Sequence, residues 1–130
     1  MATKKVFVSY DYDNDKHYKN LLLAWDAHRD IDFYLNDHSI DVSVNSTNAS
    51  TIKQAISAKI NAATYFLCIV GEKTKNSSWV DWEISKAVEL KKKIAAVKTS
   101  KDNSTPAGLY NVGASWALSF NFDAIKDTLK

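Results

Sequence analysis

A chain of 130 residues is the size of one domain with its own core, and a hydrophobic share of 45% with 25% charged residues is ordinary for a globular protein, so composition forces neither disorder nor a membrane span. The 17 basic residues exceed the 15 acidic ones by only two, too small a surplus to attract polyanions. Arg29 is the sole arginine, so the guanidinium forks that nucleic-acid readers favour are nearly missing, and no nucleic-acid partner is expected.

The first residues run through Lys4 and Lys5 into a short apolar stretch that is polar again by Asp11, unlike the continuous hydrophobic region of a secretory signal. Val6 to Tyr10, β-branched and aromatic, reads as a first, central strand. After the polar run from Asp11 to Asp15 the period changes. Tyr18, Leu21, Leu22 and Trp25 fall at i, i+3, i+4 and i+7, which predicts a helix from Lys16 with Asp15 as its N-cap. Ile31 to Leu35 reads as a second strand, and the Asn- and Ser-rich segment from Asn36 to Ser50 as a loop long enough to be functional.

Thr51 and Gln54 have capping-box spacing ahead of an apolar stripe of Ile52, Ala55, Ile56, Ile60 and Ala63, which predicts a second helix. Thr64 to Val70 is apolar without alternation, as in a strand covered on both faces, and should lie mid-sheet. The single cysteine, Cys68, sits inside it, cannot form an internal disulfide and is expected to pack in the core of a cytoplasmic protein. Ser78, with Asp81 three residues on, reads as the cap of a third helix whose sheet-facing residues are Val80, Ile84, Ala87 and Val88; Lys91, Lys92 and Lys93 would favour its C-terminal dipole. A fourth strand over Ile94 to Val97, a polar loop from Lys101 to Gly113 with the only proline, Pro106, a short fifth strand at Trp116 to Leu118 and a last helix from about Asp123 complete the chain. No stretch reaches the ~20 apolar residues of a spanning helix, so no membrane partner is expected. Alternating strands and helices predict one α/β domain over residues 1–130, a doubly wound parallel five-stranded sheet in the flavodoxin-like order 2-1-3-4-5.

In such a sheet ligands bind outside the carboxyl ends of the strands, where strand order reverses. The crevice is then expected to be lined by Tyr10, Asp11 and Tyr12 after the first strand, by Asn36, Asp37, His38 and Ser39 after the second, and by Gly71 and Glu72 after the third. Trp79 and Glu83, at i and i+4, share one face of the following helix. A ring there can stack on a planar heterocycle, beside a carboxylate that offsets positive charge developing on a sugar when its N-glycosidic bond breaks.

These residues carry a resemblance. Val6, Phe7, Val8, Ser9 and Tyr10 look like the first signature of TIR domains, and Trp79, Val80, Asp81, Trp82 and Glu83 match the tryptophan-to-glutamate motif of the NAD-cleaving members. The wider stretches at 9–15 and 71–83 are similar to the bacterial TIR-like subgroup that includes the signalling subunit of Thoeris antiphage defence, over most of the chain up to about Val97. The resemblance implies a flavodoxin-like fold, with NAD+ as substrate and no bound cofactor. It also implies Glu83 as the catalytic glutamate; Ser9, Tyr10, Asp11, Asp37, Ser39 and Trp79 are the expected substrate-binding residues. The product would be ADP-ribose or a cyclised relative, acting on a separate effector, and a homo-oligomer could form on activation. The chain departs from the animal pattern at Asp11 and Tyr12, which replace a basic pair, and after Leu35, where Arg-Asp and Pro-Gly elements are missing.

Plainer readings stand beside these. Glu83 could be a solvated helix carboxylate paired with Lys86, Trp82 a packing anchor, and Asp11, Asp13 and Asp15 a solvated loop that caps the next helix. An EF-hand reading of those aspartates fails, because its sixth position is Lys16 and its twelfth is Leu22. His17, His28 and His38 lack paired ligand spacing, so no metal is assigned. A flavodoxin would need a phosphate loop where the aspartates stand, and a phosphoacceptor receiver an aspartate where Val70, Gly71 and Glu72 stand. The surviving rival is a TIR-like interaction module that does not turn over NAD+.

Overall fold

The computed structural model describes residues 4–11, 14–25, 31–35, 47 and 49–129. Five strands, β1 (Lys4–Ser9), β2 (Ile31–Leu35), β3 (Tyr65–Val70), β4 (Lys93–Lys98) and β5 (Ser115–Ala117), form one sheet in the order β2-β1-β3-β4-β5. Every pairing is parallel, so all the carboxyl ends lie along one edge. The helices are α1 (Lys16–Trp25), α2 (Ala49–Ala62), α3 (Ser78–Glu89) and α4 (Phe122–Thr128).

Strand alternation sorts the core into two layers. Val6, Val8 and Tyr10 from β1 and its exit pack with Leu67 and Ile69 against Leu22 of α1 and Ile125 of α4. Phe7, Phe66, Cys68 and Val70 point the other way, against Ile56 and Ile60 of α2 and Val80, Ile84 and Ala87 of α3. Helices thus cover both faces, which explains why β3 is buried along its whole length and reads as unbroken apolar sequence. Phe7 and Phe66, paired in register, stack with centroids 5.8 Å apart.

Several local expectations need correction. The N-cap of α3 is Ser77, not Ser78: its hydroxyl oxygen accepts the Val80 N–H at 3.2 Å. Val88 is 42% exposed, because the buried stripe of α3 turns toward Glu83 instead. Leu21 of α1 faces outward while Leu22 is buried, and Ala55 of α2 is exposed. Helix α2 starts at Ala49, two residues ahead of the capping-box reading, so Thr51 lies inside its first turn. Of the three lysines, Lys92 donates its ammonium to the Asn61 carbonyl at 2.9 Å, serving the end of α2, and Lys93 begins β4. The loop before β5 contains a 3-10 turn, Ala107–Leu109, that buries Leu109. Leu118 lies beyond β5 and is exposed, and α4 is capped by Asn121, whose side-chain oxygen accepts the Ala124 N–H at 2.8 Å.

The segments leaving β1 and β3 are tied together. Gly71 N–H donates to the Thr74 hydroxyl at 2.8 Å, and that hydroxyl lies 3.0 Å from Asp15 Oδ2 and 3.2 Å from the Ile69 carbonyl. Asp15 lies so close over Gly71 that a β-carbon there would collide with both carboxylate oxygens. Gly71→Ala should therefore displace Asp15 from Thr74 and destabilise the fold by about 1–3 kcal/mol in urea unfolding. Combined with Asp15→Ala, which removes the obstruction, the loss should be clearly smaller than the sum of the two single losses.

Candidate functional site

Ser9 is the last residue of β1, on the same side as Phe7, so its hydroxyl enters the layer between the sheet and α3. Glu83, in the second turn of α3, enters the same layer from above: the Ser9 hydroxyl donates to Glu83 Oε1 at 2.7 Å. Ser9 is fully buried and Glu83 only 2% exposed. The solvated-helix reading of Glu83 is thus overturned. Lys86 pairs with Glu89 at 2.7 Å instead.

Burial disfavours the charged carboxylate more than the single Ser9 hydrogen bond favours it, and the Glu83 acid is pushed up from 4.5 to about 8. Near neutral pH Glu83 is therefore largely protonated, and a cation arriving beside it would draw the proton off. Cys68, paired in register with Ser9, is fully buried, and its thiol is held far above its ordinary range by that burial and by the acidic Glu83 and Asp15 nearby. It is a core residue, as expected, and no nucleophile.

Trp79 is half-buried on the outer side of the same layer, edge-on to Trp82 at 6.1 Å and 79°. Trp82 packs against the core as an anchor, with the ammonium groups of Lys53 and Lys86 5.6 and 5.8 Å from its ring centre. Tyr10 is not brought to Glu83: it follows Ser9 with the opposite facing and lies in the other core layer, beneath Lys19. Asp11 is buried where its segment turns, accepting the Asn14 side-chain amide at 2.7 Å through Oδ2, and its carbonyl accepts the Asp15 N–H at 2.8 Å. Tyr12, Asp13, Asp37, His38 and Ser39 lie outside the described residues, so the second-strand side of the expected crevice is not described. Among the described residues no three His, Cys, Asp or Glu side chains are grouped to hold a metal ion, and no helix is long and apolar enough to cross a membrane.

The solvated-loop reading missed Asp15. It is 4% exposed, and its acid is raised by burial, against the Thr74 hydrogen bond and with a further push from Asp11. Nothing local marks it, because its partner is 59 residues away.

The family model described as Thoeris protein ThsB, TIR-like domain, matches residues 7–104. No curated protein matches in sequence. Among solved structures, a 2-desoxiribosyltransferase from Leishmania mexicana is similar at TM-score 0.62 and 16% identity over 95% of each chain. The CMP N-glycosidase BcmB from Clostridium botulinum is similar at 0.61 and 17%, over 95% of this chain and 94% of that one. The TIR domains of the activated Roq1 resistosome are similar at 0.56 and 14%, over 78% of this chain, which spans 65% of that one. At these identities the likeness is one of fold: an α/β layer structure with a parallel sheet.

A carboxyl group raised to about 8 binds its proton more tightly in the folded chain than in the unfolded one. Its stabilising effect is complete below the unfolded value of 4.5 and is lost as pH rises through about 8. Unfolding free energies measured between pH 5 and 9 should therefore fall with pH more steeply in the parent than in Glu83→Gln. Ser9→Ala removes the hydrogen bond that favours the carboxylate and should raise the Glu83 titration midpoint further, read by carboxyl carbon shifts in NMR.

Proposed function

Because the chain belongs to the family of Thoeris ThsB TIR-like domains, we propose that it breaks the N-glycosidic bond of NAD+ at the carboxyl edge of its sheet, with Glu83 as the catalytic residue. The carrying observation is the buried Glu83 carboxyl, held by the Ser9 hydroxyl at the end of β1. The coarser reading, a glycosidic function, also draws support from solved structures of the same fold that are named for a CMP N-glycosidase and a 2-desoxiribosyltransferase.

The chemistry follows from charge. In NAD+ the pyridinium ring is cationic, so breaking its bond to ribosyl C1′ releases neutral nicotinamide and leaves positive charge on the sugar. A carboxylate fixed beside C1′ in a dry layer stabilises that charge without having to reorient. The cationic substrate favours the ionised form of Glu83, so binding expels the proton that burial retains in the free protein. Ser9 keeps Oε1 in place. Water then adds at C1′ and loses a proton to give ADP-ribose, or a hydroxyl or ring nitrogen of the same molecule adds and gives a cyclic product. Trp79 is the ring available to stack on the nicotinamide, and Asp11, Asp37 and Ser39 are the proposed remaining contacts to the ribose and pyrophosphate end. The product serves as a signal to a separate effector in antiphage defence, NAD+ is consumed as a substrate, and assembly of several copies completes the crevice.

Nicotinamide release from NAD+ by concentrated protein, followed by chromatography, tests the proposal. Glu83→Gln, which keeps shape and hydrogen bonding but not charge, should lower the rate on the order of a hundredfold or more. A folded Gln variant that cleaves at the parent's rate would falsify the catalytic role. Because kcat/KM reports ionisations of the free enzyme, it should rise with pH and level off above about 8 as the free Glu83 acid ionises. Ser9→Ala should move that rise to higher pH.

A further inference from the structure

At the same edge, on the α1 side of the sheet, the segments leaving β1, β3 and β4 enclose a cavity of about 340 Å³. It is distinct from the Ser9–Glu83 layer. Its wall includes Tyr18, which packs in the opposite core layer from Glu83.

Two side chains of this wall present acceptor atoms that no donor among the described residues reaches. Asp15 lines the cavity and is more than nine-tenths buried, yet among the described residues only Oδ2 has a donor, the Thr74 hydroxyl; Oδ1 has none. A buried carboxylate oxygen left without a donor is costly and calls for a group from outside the chain. Asn103 shows the same polarity. Its amide nitrogen donates to the Val70 carbonyl at 2.9 Å and to Thr99 Oγ1 at 2.8 Å, which uses both protons and leaves the amide oxygen as the free group. Asn14 likewise gives its amide nitrogen to Asp11. The cavity therefore offers two acceptors, Asp15 Oδ1 and the Asn103 oxygen, on a wall that also carries Lys73 and His17; the His17 ring lies 3.8 Å from the half-buried Tyr18 ring, itself braced by Phe120 at 4.8 Å.

We propose that this cavity binds the vicinal diol of a ribosyl group, with the two hydroxyls donating to Asp15 Oδ1 and the Asn103 side-chain oxygen while the sugar's carbon face lies against the His17–Tyr18 ring pair. Hydroxyl donors match the two open acceptors, Asp15 Oδ1 and the Asn103 oxygen, which a phosphate oxygen could not satisfy. A carboxylate accepting from a ribose hydroxyl is a known solution in doubly wound sheets. The choice of a ribosyl sugar over a hexose rests on the N-ribosyl chemistry proposed above; the acceptor-rich site does not. Occupancy would also reach α3, because Asp15 is tied through Thr74 to the turn Thr74–Asn76 immediately ahead of that helix.

The test is amide NMR titration of the Glu83→Gln chain with neutral nucleosides, a readout that needs no turnover and so stands apart from failure of the NAD+ proposal. Adenosine should shift the amides of Asn14, Asp15, Gly71, Thr74 and Asn103 in a saturable way, and 2′,3′-dideoxyadenosine, lacking both donors, should bind about tenfold more weakly or worse. Ser100→Trp, at an exposed position on the cavity wall, fills the space without touching the core and should abolish the shifts. Asp15→Asn should weaken adenosine about tenfold, since a hydrogen bond to a neutral acceptor replaces one to a charged acceptor. Equal binding of the two nucleosides, shifts centred on Trp79, or binding that survives Ser100→Trp overturns the site. Glucose binding as tightly as adenosine overturns the ribosyl assignment.

Discussion

The hydrogen bond from Ser9 to Glu83 joins the end of the first strand to the second turn of α3 inside an apolar layer, where an ionised carboxylate costs several kcal/mol unless paired. One hydroxyl is less than a carboxylate needs, so the group stays protonated up to about pH 8 and its charge is held in reserve. The neighbouring structure is consistent with that economy. Cys68 beside it is small and inert, and Phe7 and Phe66 stack just below. A carboxyl so placed acts strongly on a cation and hardly at all on a neutral solute, a selectivity suited to a pyridinium nucleotide.

A second buried carboxyl, Asp15, lies on the other side of the sheet edge. Thr74 has one hydroxyl proton and two acceptors within reach, Asp15 Oδ2 and the Ile69 carbonyl. When Asp15 is ionised, Thr74 donates to it; when Asp15 is protonated, Asp15 can donate to Thr74, which then turns to Ile69. Gly71 is required because any side chain there would push the carboxylate out. The cluster spans the place where β1 sends its chain to one face of the sheet and β3 to the other. The edge thereby keeps its shape across the point at which strand order reverses.

Much of this was legible in the sequence where a local period carries the signal. The unbroken apolar run at Tyr65–Val70 identified a covered central strand, and the i, i+4 spacing of Trp79 and Glu83 put both on the helix beside it. Boundaries were less legible, because Ser77 and Ser78 are chemically equivalent caps and only backbone geometry selects Ser77. Period also misled: the stripe that seemed to include Val88 bends toward Glu83, since the sheet edge supplies a buried hydroxyl there. The strand-end rule grouped Tyr10 with Glu83, but it selects an edge and not a face, and Tyr10 lies in the layer opposite to that of Ser9 and Glu83. The role of Asp15 was out of reach, because an aspartate among aspartates reads as solvated and its distant partner leaves no local trace.

The most direct measurement of the central claim is a competitive isotope effect on NAD+ tritiated at the ribosyl C1′ that bears nicotinamide. If Glu83 stabilises a cationic sugar as the C1′–N bond breaks, the labelled molecule should react more slowly than the unlabelled one, and nicotinamide should be the first product released. Equal rates for the two isotopic forms under conditions where substrate dissociates much faster than it reacts, or cleavage at the pyrophosphate with the nicotinamide bond intact, would contradict the account.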